Sequence, residues 1–574
     1  MRIVRIFSFI LTLAAVGLAA QSLAQTDSGA PHLKKQGSAT QLIVDGKPFL
    51  IVSGELSNNA ATSLENMDTI WPKLVAANLN AALIGVSWAQ FEPEEGKYNY
   101  AQVDGVIAKA RENHMRVVFI WFGCWKNGTS SYPPYWVKKD YTRFPRIQIN
   151  DGKTVSVSGP VELLSTLSDA TRDADAKAFA AFMRHIKEVD GTQHTVVMIQ
   201  VENEVGVLRD SRDRSPAANS AYAGQVPAEL MKYMEAHKDS LIPEFREVWA
   251  ANGYKNSGTW EQVFGPGRPL SVEIPIQTTV SALGMMRHET DWQKLNWPSD
   301  EFFMAWNYAR FLEKVIKAGK AEYNIPMYVN TWLGGDNATP GEYPSGCPEP
   351  WVMEVWRAAG TAIDIYSPDL YATNFEEWSQ RYHREGNPLY MPETRGEEAG
   401  AANVYYALGE EAGLGFSPFA IESEASNKDP LGESYATIAK LAPMILDHQA
   451  LGEIHGFVLS REHRSVEFTM GDYVLHVSLD NSFDGPAENG YGLIMRMAGG
   501  DKFLGAGKGF RVTFTPYPRG GQHVGIAYVE EGDLKNGKWI PGRRMNGDED
   551  DQGVAWRFSP HGQTIETVVL YRYE

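Results

Sequence analysis

Two carboxylic side chains stand where apolar segments of this chain end. Residues 195–201 run directly into Glu-Asn-Glu at 202–204, and residues 388–391 run into Pro392 and Glu393. Apolar strands seldom finish on charged side chains, because taking a charge out of water is costly unless a partner or solvent receives it. We therefore predict that Glu204 and Glu393 are catalytic carboxyls that do acid–base or nucleophilic chemistry.

The elements that must position these carboxyls alternate between short apolar runs and amphipathic helical stretches. Eight apolar runs lie near residues 49, 81, 116, 195, 325, 363, 388 and 415. Repeated strand–helix alternation predicts a parallel sheet, and eight such units predict an α/β fold of the (β/α)₈ TIM-barrel type. Catalytic groups project from the carboxyl ends of barrel strands. The ends of strands four and seven should therefore bring Glu204 and Glu393 to one mouth.

The first 24 residues predict export from a bacterial cell. Arg2 and Arg5 precede an apolar run at residues 6–20, which is shorter than a typical membrane span, and residues 22–24 form a small-x-small cleavage site. We expect cleavage near Ala24 and a mature protein in the periplasm or outside the cell. The mature chain has no other apolar stretch long enough for membrane insertion.

The rest of the sequence falls into three parts. Residues 25–40 are small and polar, and we expect them to be a disordered mature N-terminus. Residues 41–450 form the predicted barrel, with an insert at 207–300 after the fourth strand. Residues 451–574 show apolar alternation of period two between turn residues, which predicts an antiparallel β-sandwich domain.

The composition narrows the function classes. A formal net charge of −18 argues against nucleic acid and anionic membrane surfaces as partners. The 16 Trp and 25 Tyr suit stacking on sugar rings, and they equally suit a large core. Cys124 and Cys347 have no metal-type spacing; export permits a disulfide between them, although reduced thiols are commoner in so large a chain. The 13 His are scattered and no zinc-protease motif is present, so we expect no cofactor and no catalytic metal.

A pair of carboxyls is what hydrolysis of a glycosidic bond requires. One protonates the leaving oxygen, and the other attacks the anomeric carbon or activates water. We assign Glu204 as acid/base and Glu393 as nucleophile, with the ionised nucleophile raising the pKa of Glu204 and with Arg395 or a Tyr holding Glu393 ionised. Glu202 is expected to be a supporting carboxylate. Strict alternation would place it beside Glu204, so the backbone must leave regular geometry here or Glu202 lies lower in the barrel.

Three segments of the predicted barrel carry a combined pattern. They are Trp71, Asn80, Trp88, Glu92-Pro93 and Gly96-Lys97-Tyr98; residues 200–206; and residues 391–395. In that order they resemble the first signature of family-35 glycoside hydrolases, that family's acid/base motif, and the strand-seven nucleophile of clan A, to which family 42 also belongs. The chain departs from family 35 at residues 120–127, where Pro-Gly-Pro-Tyr is usual, and at Val205, where Tyr is usual.

This resemblance implies a retaining exo-β-galactosidase with a covalent glycosyl-enzyme intermediate. It further implies action on plant cell-wall oligosaccharides or polysaccharides, such as galactosylated xyloglucan. Retention requires carboxyls about 5–5.5 Å apart. Two alternatives stay open: another clan A β-glycosidase of different sugar specificity, and a non-catalytic sugar-binding barrel.

Side chains at or near the predicted strand ends are candidates for substrate binding. Asn203 is expected to hydrogen-bond the sugar hydroxyl next to the anomeric centre. Glu55 and Lys126 are expected to contact other hydroxyls. The aromatic candidates, each with core packing as its alternative, are Trp88, Trp125, Trp332, Tyr366 and Tyr371.

Overall fold

The computed structural model describes the chain from residue 29 onward with several gaps. The described residues are 29–149, 162–272, 274, 295–335, 338–424, 429–482, 485–535 and 537–574. The predicted signal peptide, residues 1–24, and part of the insert at 207–300 lie outside them. Within these described ranges, no helix combines the length and the apolar composition needed to cross a membrane.

Eight parallel strands form the predicted (β/α)₈ barrel. They are β1 Ile51–Val52, β2 Ala81–Ser87, β3 Arg116–Lys126, β4 Val196–Asn203, β5 Met327–Trp332, β6 Ile365–Leu370, β7 Met391–Thr394 and β8 Gly415–Pro418. Strands adjacent in sequence pair with one another from β2 to β8, and β8 pairs with β1. The ring closes at Leu83 of β2, whose N–H donates to Gly54 O and whose carbonyl accepts from Leu56 N, both at 3.0 Å.

A helix follows each barrel strand. These helices are α1 Leu64–Ala76, α2 Ala101–Glu112, α3 Asp169–Asp190, α4 Pro298–Glu322, α5 Met353–Ala359, α6 Phe375–Tyr382, α7 Glu397–Gly409 and α8 Pro430–Leu451. The N-termini of α1, α3 and α8 carry side-chain caps; Ser168, for example, accepts the Thr171 N–H at the start of α3. Further helices of the described insert and loops are Trp88–Phe91, Tyr135–Lys138, Pro216–Tyr222, Ala228–Ala236, Pro243–Ala251, Trp260–Phe264 and Ile421–Glu424, with 3-10 turns at Ala60–Thr62 and Gly547–Asp550.

The barrel is packed on both sides of its sheet. Inward-facing apolar side chains such as Leu83, Ile120 and Met198 fill the interior, and a second, larger cluster joins the outer faces of the strands to the helices. Cys124 and Cys347 are buried and are not bonded to each other, so the expectation of reduced thiols is confirmed.

The segment before β1 is a hairpin, and the prediction of a disordered terminus over residues 25–40 is wrong for its described part. His32–Gln36 pairs antiparallel with Ala39–Val44, which also pairs with Lys47–Pro48. Leu42 lies in the cluster that fills the barrel interior. Polar composition concealed this hairpin, because its first strand is mostly polar and has no fully buried residue, whereas its second strand is almost entirely buried.

Two antiparallel sheets follow the barrel, as the period-two alternation predicted. The larger sheet has the order Ile454–Leu459, Gly490–Arg496, Lys502–Lys508, Thr564–Tyr573, His523–Lys535, Lys538–Met545, and the smaller has the order Ser465–Met470, Tyr473–Leu479, Phe510–Pro516, Trp556–Arg557. A short two-stranded ladder joins Asn481–Ser482 to Gly485–Pro486. Buried side chains from both larger sheets, including Phe503, Phe510 and Trp556, form a core of their own.

The sandwich domain packs directly on α7 and α8. Gly456 lies so close to α7 that a Cβ added to it would stand 2.0 Å from the Tyr405 carbonyl oxygen, and Gly409 meets Gly456 in the same contact. Gln563 Nε2 donates to the Ser434 hydroxyl of α8 at 2.7 Å. Glycine on both sides therefore lets two backbones touch at this interface.

Gly456→Ala should loosen this interface. Because the added methyl group would overlap backbone atoms, we expect the free energy of unfolding to fall by about 1–3 kcal/mol, as in overpacked cores. Chemical denaturation monitored by tryptophan fluorescence measures the change. Gly521→Ala is the matched control, since its Cβ would meet no atom within 4 Å; equal midpoints for the two variants would contradict the proposed contact.

Candidate active site

Polar side chains from six strand ends converge at the carboxyl end of the barrel. Glu55 follows β1, Lys126 ends β3, and Asn203 and Glu204 come at the end of β4. The others come from β5, β6 and β7 or directly follow them: Asn330, Asp369, Tyr371 and Glu393. The structure thus brings together both predicted catalytic carboxyls and four of the predicted substrate contacts.

The two predicted catalytic carboxyls meet across the mouth. Glu204, Asp369 and Glu393 each place a carboxylate oxygen within 4.8 Å of the other two. Glu204 is 6% exposed and Glu393 is 7% exposed, whereas Glu55 behind them is fully buried. Both carboxyls of the pair are therefore almost fully buried at the carboxyl end of the barrel.

The backbone leaves regular geometry at the end of β4, as the sequence required. Glu202 and Glu204 both have left-handed φ angles, 62° and 44°. Such angles are uncommon for residues other than glycine, and they cluster at functional sites. They send the Glu204 side chain towards the mouth, while the Glu202 carboxylate accepts backbone N–H groups of β3.

Lys126 supplies positive charge at the centre of the site. Its Nζ donates to Asn203 Oδ1 at 2.8 Å, and its charge favours the ionised forms of Glu55, Glu204 and Glu393. Asn203 Nδ2 is buried and finds no acceptor among the described residues. Lysine thus fixes the orientation of the amide and leaves its N–H groups free for a ligand.

Burial and like charge separate the protonation states of the carboxyls. Burial, followed by the Glu393 charge, raises the pKa of Glu204 to about 7, although Lys126 and a hydrogen bond with Asp369 oppose this. Burial also raises the pKa of Glu393, which Lys126 and Tyr371 counteract. Burial and the neighbouring carboxylates raise the pKa values of Glu55 and Asp369 well above their usual range, which favours their protonated forms.

The sequence left open whether Arg395 or a tyrosine donates a hydrogen bond to Glu393. The structure shows that Tyr371 does. Its hydroxyl donates to Glu393 Oε1 at 2.6 Å. Arg395 Nε donates to the Tyr371 carbonyl at 2.8 Å, so the guanidinium holds the tyrosine segment in place. A hydrogen bond to the charged form of a carboxyl favours ionisation, which suits the role assigned to Glu393.

Sequence reasoning missed two residues of the site, Asn330 and Asp369. Asn330 Oδ1 accepts the Glu204 N–H at 2.9 Å, and its Nδ2 donates to Asp369 Oδ2 at 2.6 Å. Asn330 is a polar residue in the closing part of a predicted strand, the same signal that identified Glu204. Asp369 escaped because the apolar run near residue 363 ends in the sequence at Tyr366, whereas the strand continues to Leu370.

Glu55 is a buried carboxyl of the site whose hydrogen-bonding capacity is unused among the described residues. It is 0% exposed, and neither carboxylate oxygen has a hydrogen-bond partner among the described residues. A buried polar group without partners is costly, and a ligand hydroxyl would remove that cost. Glu55 is therefore well placed to bind substrate.

The aromatic candidates divide between the site and the core. Trp332 is half-buried at the end of β5 and pairs in register with Asp369, so it remains a candidate. Trp88 is fully buried and its indole donates to Glu92 at 2.7 Å. Trp125 is also fully buried, with its ring 4.5 Å from that of Phe311 in α4.

Tyr366 belongs to the core as well. Its ring lies 6.2 Å from that of Trp356 in α5, on the helix side of β6. The expectation that Trp88, Trp125 and Tyr366 contact substrate is therefore wrong. Their position near a strand end was correct, but the side-chain direction sends each into the layer beneath the helices.

Two groups of buried side chains in the described part of the chain have ligand atoms near enough for a metal ion. They are Glu204, Asp369 and Glu393, and Cys124, Asp175 and Glu202. The ammonium of Lys126 acts on two members of the first group, which disfavours a second cation there. In the second group, both Glu202 oxygens already accept backbone N–H groups.

Two family models match the sequence. A model described as Beta-galactosidase, that of glycoside hydrolase family 42, matches residues 61–335. A domain of unknown function, DUF5597, matches residues 431–557, which include α8 and most of the sandwich. No curated protein matches the sequence. The predicted kinship with β-galactosidases is thus confirmed at that level, and the assignment to family 35 in particular stays a prediction.

The chain is also similar to solved structures of glycosidases. They include the β-galactosidase of Bacillus circulans sp. alkalophilus, at 14% identity and a TM-score of 0.43 over 69% of this chain and 57% of that one. The β-galactosidase of Rahnella sp. R3 aligns at 13% identity and a TM-score of 0.40 over 72% and 58%. The β-amylase catalytic domain of Paenibacillus polymyxa aligns at 12% identity and a TM-score of 0.43 over 68% and 98%.

This chain spans less than two thirds of the length of either of those β-galactosidases. The match over residues 61–335 covers the barrel from α1 to β5, including Glu204. Residues 61–335 of the chain are thus similar to a β-galactosidase family domain.

Proposed function

We propose that this protein is a retaining exo-β-galactosidase that works by double displacement. The observation that carries the proposal is the approach of Glu204 and Glu393, whose nearest carboxylate oxygens lie within 4.8 Å. Retaining enzymes hold their two carboxyls about 5–5.5 Å apart, whereas inverting enzymes need about 6.5–9.5 Å to admit a water molecule. The short approach supports direct attack by Glu393 on the sugar.

The protonation states support the assigned roles. Glu204, with its pKa raised to about 7, keeps a proton for the glycosidic oxygen as the bond breaks. Glu393, with Tyr371 and Lys126 favouring its ionised form, attacks the anomeric carbon. In the second step Glu204 takes a proton from water, which attacks the same carbon and releases the sugar and Glu393.

The inner residues of the site support the binding of a sugar. Burial and neighbouring carboxylates raise the pKa values of Glu55 and Asp369 well above their usual range, which favours protonated forms that can donate as well as accept hydrogen bonds. With the free N–H groups of Asn203 they offer partners of both kinds to sugar hydroxyls. Exo action on a terminal sugar is proposed from the resemblance of the strand signatures to family 35.

The natural substrate and location that we propose rest on the sequence. The strand signatures resemble those of family 35, which favours galactose-bearing plant cell-wall glycans such as xyloglucan. Residues 1–24 favour action in the periplasm or outside the cell. A panel of nitrophenyl glycosides tests the sugar, and hydrolysis of another β-glycoside in preference to the galactoside would overturn the galactose assignment.

A second candidate is a β-glycosidase of different sugar specificity. It is favoured by Lys126, which is buried at the catalytic centre in a segment where the chain departs from the family-35 pattern. The same glycoside panel decides between the two candidates. A non-catalytic sugar-binding barrel is disfavoured, because both carboxyls are present in a hydrolytic arrangement.

Substituting either catalytic carboxyl by alanine should abolish turnover and separate the two roles. We expect Glu204→Ala and Glu393→Ala each to lower kcat for a nitrophenyl β-galactoside by about 100-fold or more. Azide should restore Glu393→Ala by forming an α-galactosyl azide. Glu229→Ala, which removes an exposed carboxylate of the insert, is the control; wild-type activity in Glu393→Ala would refute the mechanism.

Tyr371→Phe should change the pH dependence on one side. The hydroxyl lowers the pKa of Glu393, so its removal raises that pKa and moves the acidic limb of the kcat/KM profile to higher pH. The alkaline limb, which reports loss of the Glu204 proton near pH 7, should stay in place. Tyr366→Phe removes a core tyrosine hydroxyl of the same strand region and should move neither limb; a shift in that variant alone would contradict the assignment.

A further inference from the structure

Strand β3 carries a wide bulge directly before the catalytic centre. Its register against β4 passes from Trp121 opposite Val201 to Lys126 opposite Asn203, so that five steps along β3 match two along β4. Backbone N–H groups inside the bulge lose their ladder partners on β4. Buried N–H groups must find another acceptor.

The Glu202 carboxylate takes the place of those ladder partners. Its Oε1 accepts the Cys124 N–H at 2.8 Å, and its Oε2 accepts the Trp125 N–H at 2.7 Å. The left-handed φ of Glu202 turns its side chain from the β4 ladder into the bulge. One side chain therefore fastens the backbone at two successive residues.

A second buried carboxyl, Asp175 of α3, completes this arrangement. Its Oδ1 accepts the Trp121 indole N–H at 2.9 Å, while its Oδ2 has no donor among the described residues. The Asp175 and Glu202 carboxyls each place an oxygen within 4.8 Å of the other. Two adjacent buried carboxyls cannot both ionise, so they hold a proton between them.

The Asp175 and Glu202 carboxyls leave no room for a side chain at position 123. A Cβ on Gly123 would stand 2.5 Å from Glu202 Oε1 and 2.9 Å from Asp175 Oδ1. Only glycine therefore allows the β3 backbone to approach both carboxyls. The bulge, the glycine and the pair form one rigid unit.

This unit ends at the residues that organise the active site. Trp125, whose N–H donates to Glu202, directly precedes Lys126 in β3. Glu202 directly precedes Asn203 in β4. Lys126 Nζ and Asn203 Oδ1 form the hydrogen bond that orients the amide. Glu202 thus holds both chain segments from which this hydrogen bond is made.

We propose that Glu202 is a positioning residue, which fixes Lys126 against Asn203 through the β3 bulge, with Asp175 as the partner that shares its proton. The proposal rests on the proposed function for its kinetic readout. Both Glu202 oxygens accept backbone N–H groups, which a carboxyl can do with two oxygens and an amide with only one. An amide at position 202 should therefore disrupt the bulge, whereas an amide at position 175 keeps an oxygen for the Trp121 indole and should be tolerated.

The test compares Glu202→Gln with Asp175→Asn. Glutamine would turn an NH₂ group towards a backbone N–H, which displaces the bulge and with it Lys126. Since a misplacement of about 1 Å can cost about 100-fold in rate, we expect a fall in kcat of that order. Because Lys126 lowers the pKa values of Glu204 and Glu393, both limbs of the pH profile should move to higher pH. Asp175→Asn keeps an oxygen for the Trp121 indole N–H and changes no group that faces the bulge N–H groups, so it should keep kcat and both limbs near wild type.

Several outcomes would overturn the proposal. These are a folded Glu202→Gln with wild-type kcat and unmoved limbs, or Asp175→Asn impaired as severely as Glu202→Gln. If Glu202→Gln does not fold, Asp175→Ala takes its place with the same expectation, and a folded Asp175→Ala that behaves as wild type overturns the proposal.

A crystal structure of the same variant gives a readout that needs no substrate. Lys126 Nζ beyond hydrogen-bonding distance of Asn203 supports the positioning role, and an unchanged contact overturns it. Failure of the wild type to cleave any β-glycoside would instead defeat the proposed function alone, so the two failures are distinguishable.

Discussion

The site depends on one positive charge among four buried carboxyls. Lys126 acts on Glu55, Glu204 and Glu393, and Asp369 lies within reach of the last two. Low effective dielectric makes each unpaired charge expensive, so burial raises the pKa values of all four carboxyls. Their surroundings differ, because Tyr371 and Lys126 favour the ionised form of Glu393. Acid and nucleophile thus arise from the same kind of group in different surroundings.

Much of the architecture could be predicted because the physical signals were local. Each of the eight strands was identified by a short apolar run between helical patterns, and Glu204 and Glu393 by polar residues where apolar runs stop. The (β/α)₈ arrangement then placed both at one end of the sheet. Asn330 carries the same signal and was recognisable, but it was not singled out.

The rest could not be predicted because it depends on side-chain direction and on exact strand length. Trp88, Trp125 and Tyr366 stand near the correct ends, yet they face the helices. Asp369 lay beyond the expected end of its strand. The hydrophobic pattern of the sequence showed no sign of the bulge in β3. Every residue from Val117 to Lys126 is buried on both faces of the strand, so a change of face does not alter the pattern. The N-terminal hairpin was hidden by its polar first strand.

The contact between Gly409 and Gly456 has a consequence for how the protein is divided. The family match at 431–557 begins within the first turn of α8, so a barrel helix and the sandwich share one unit of sequence. Separating the chain at that limit would strip the eighth helix from the barrel and bare the outer faces of β8 and β1. A cut after α8 would instead divide the matched segment, so neither position separates the barrel from the sandwich without loss to one of them.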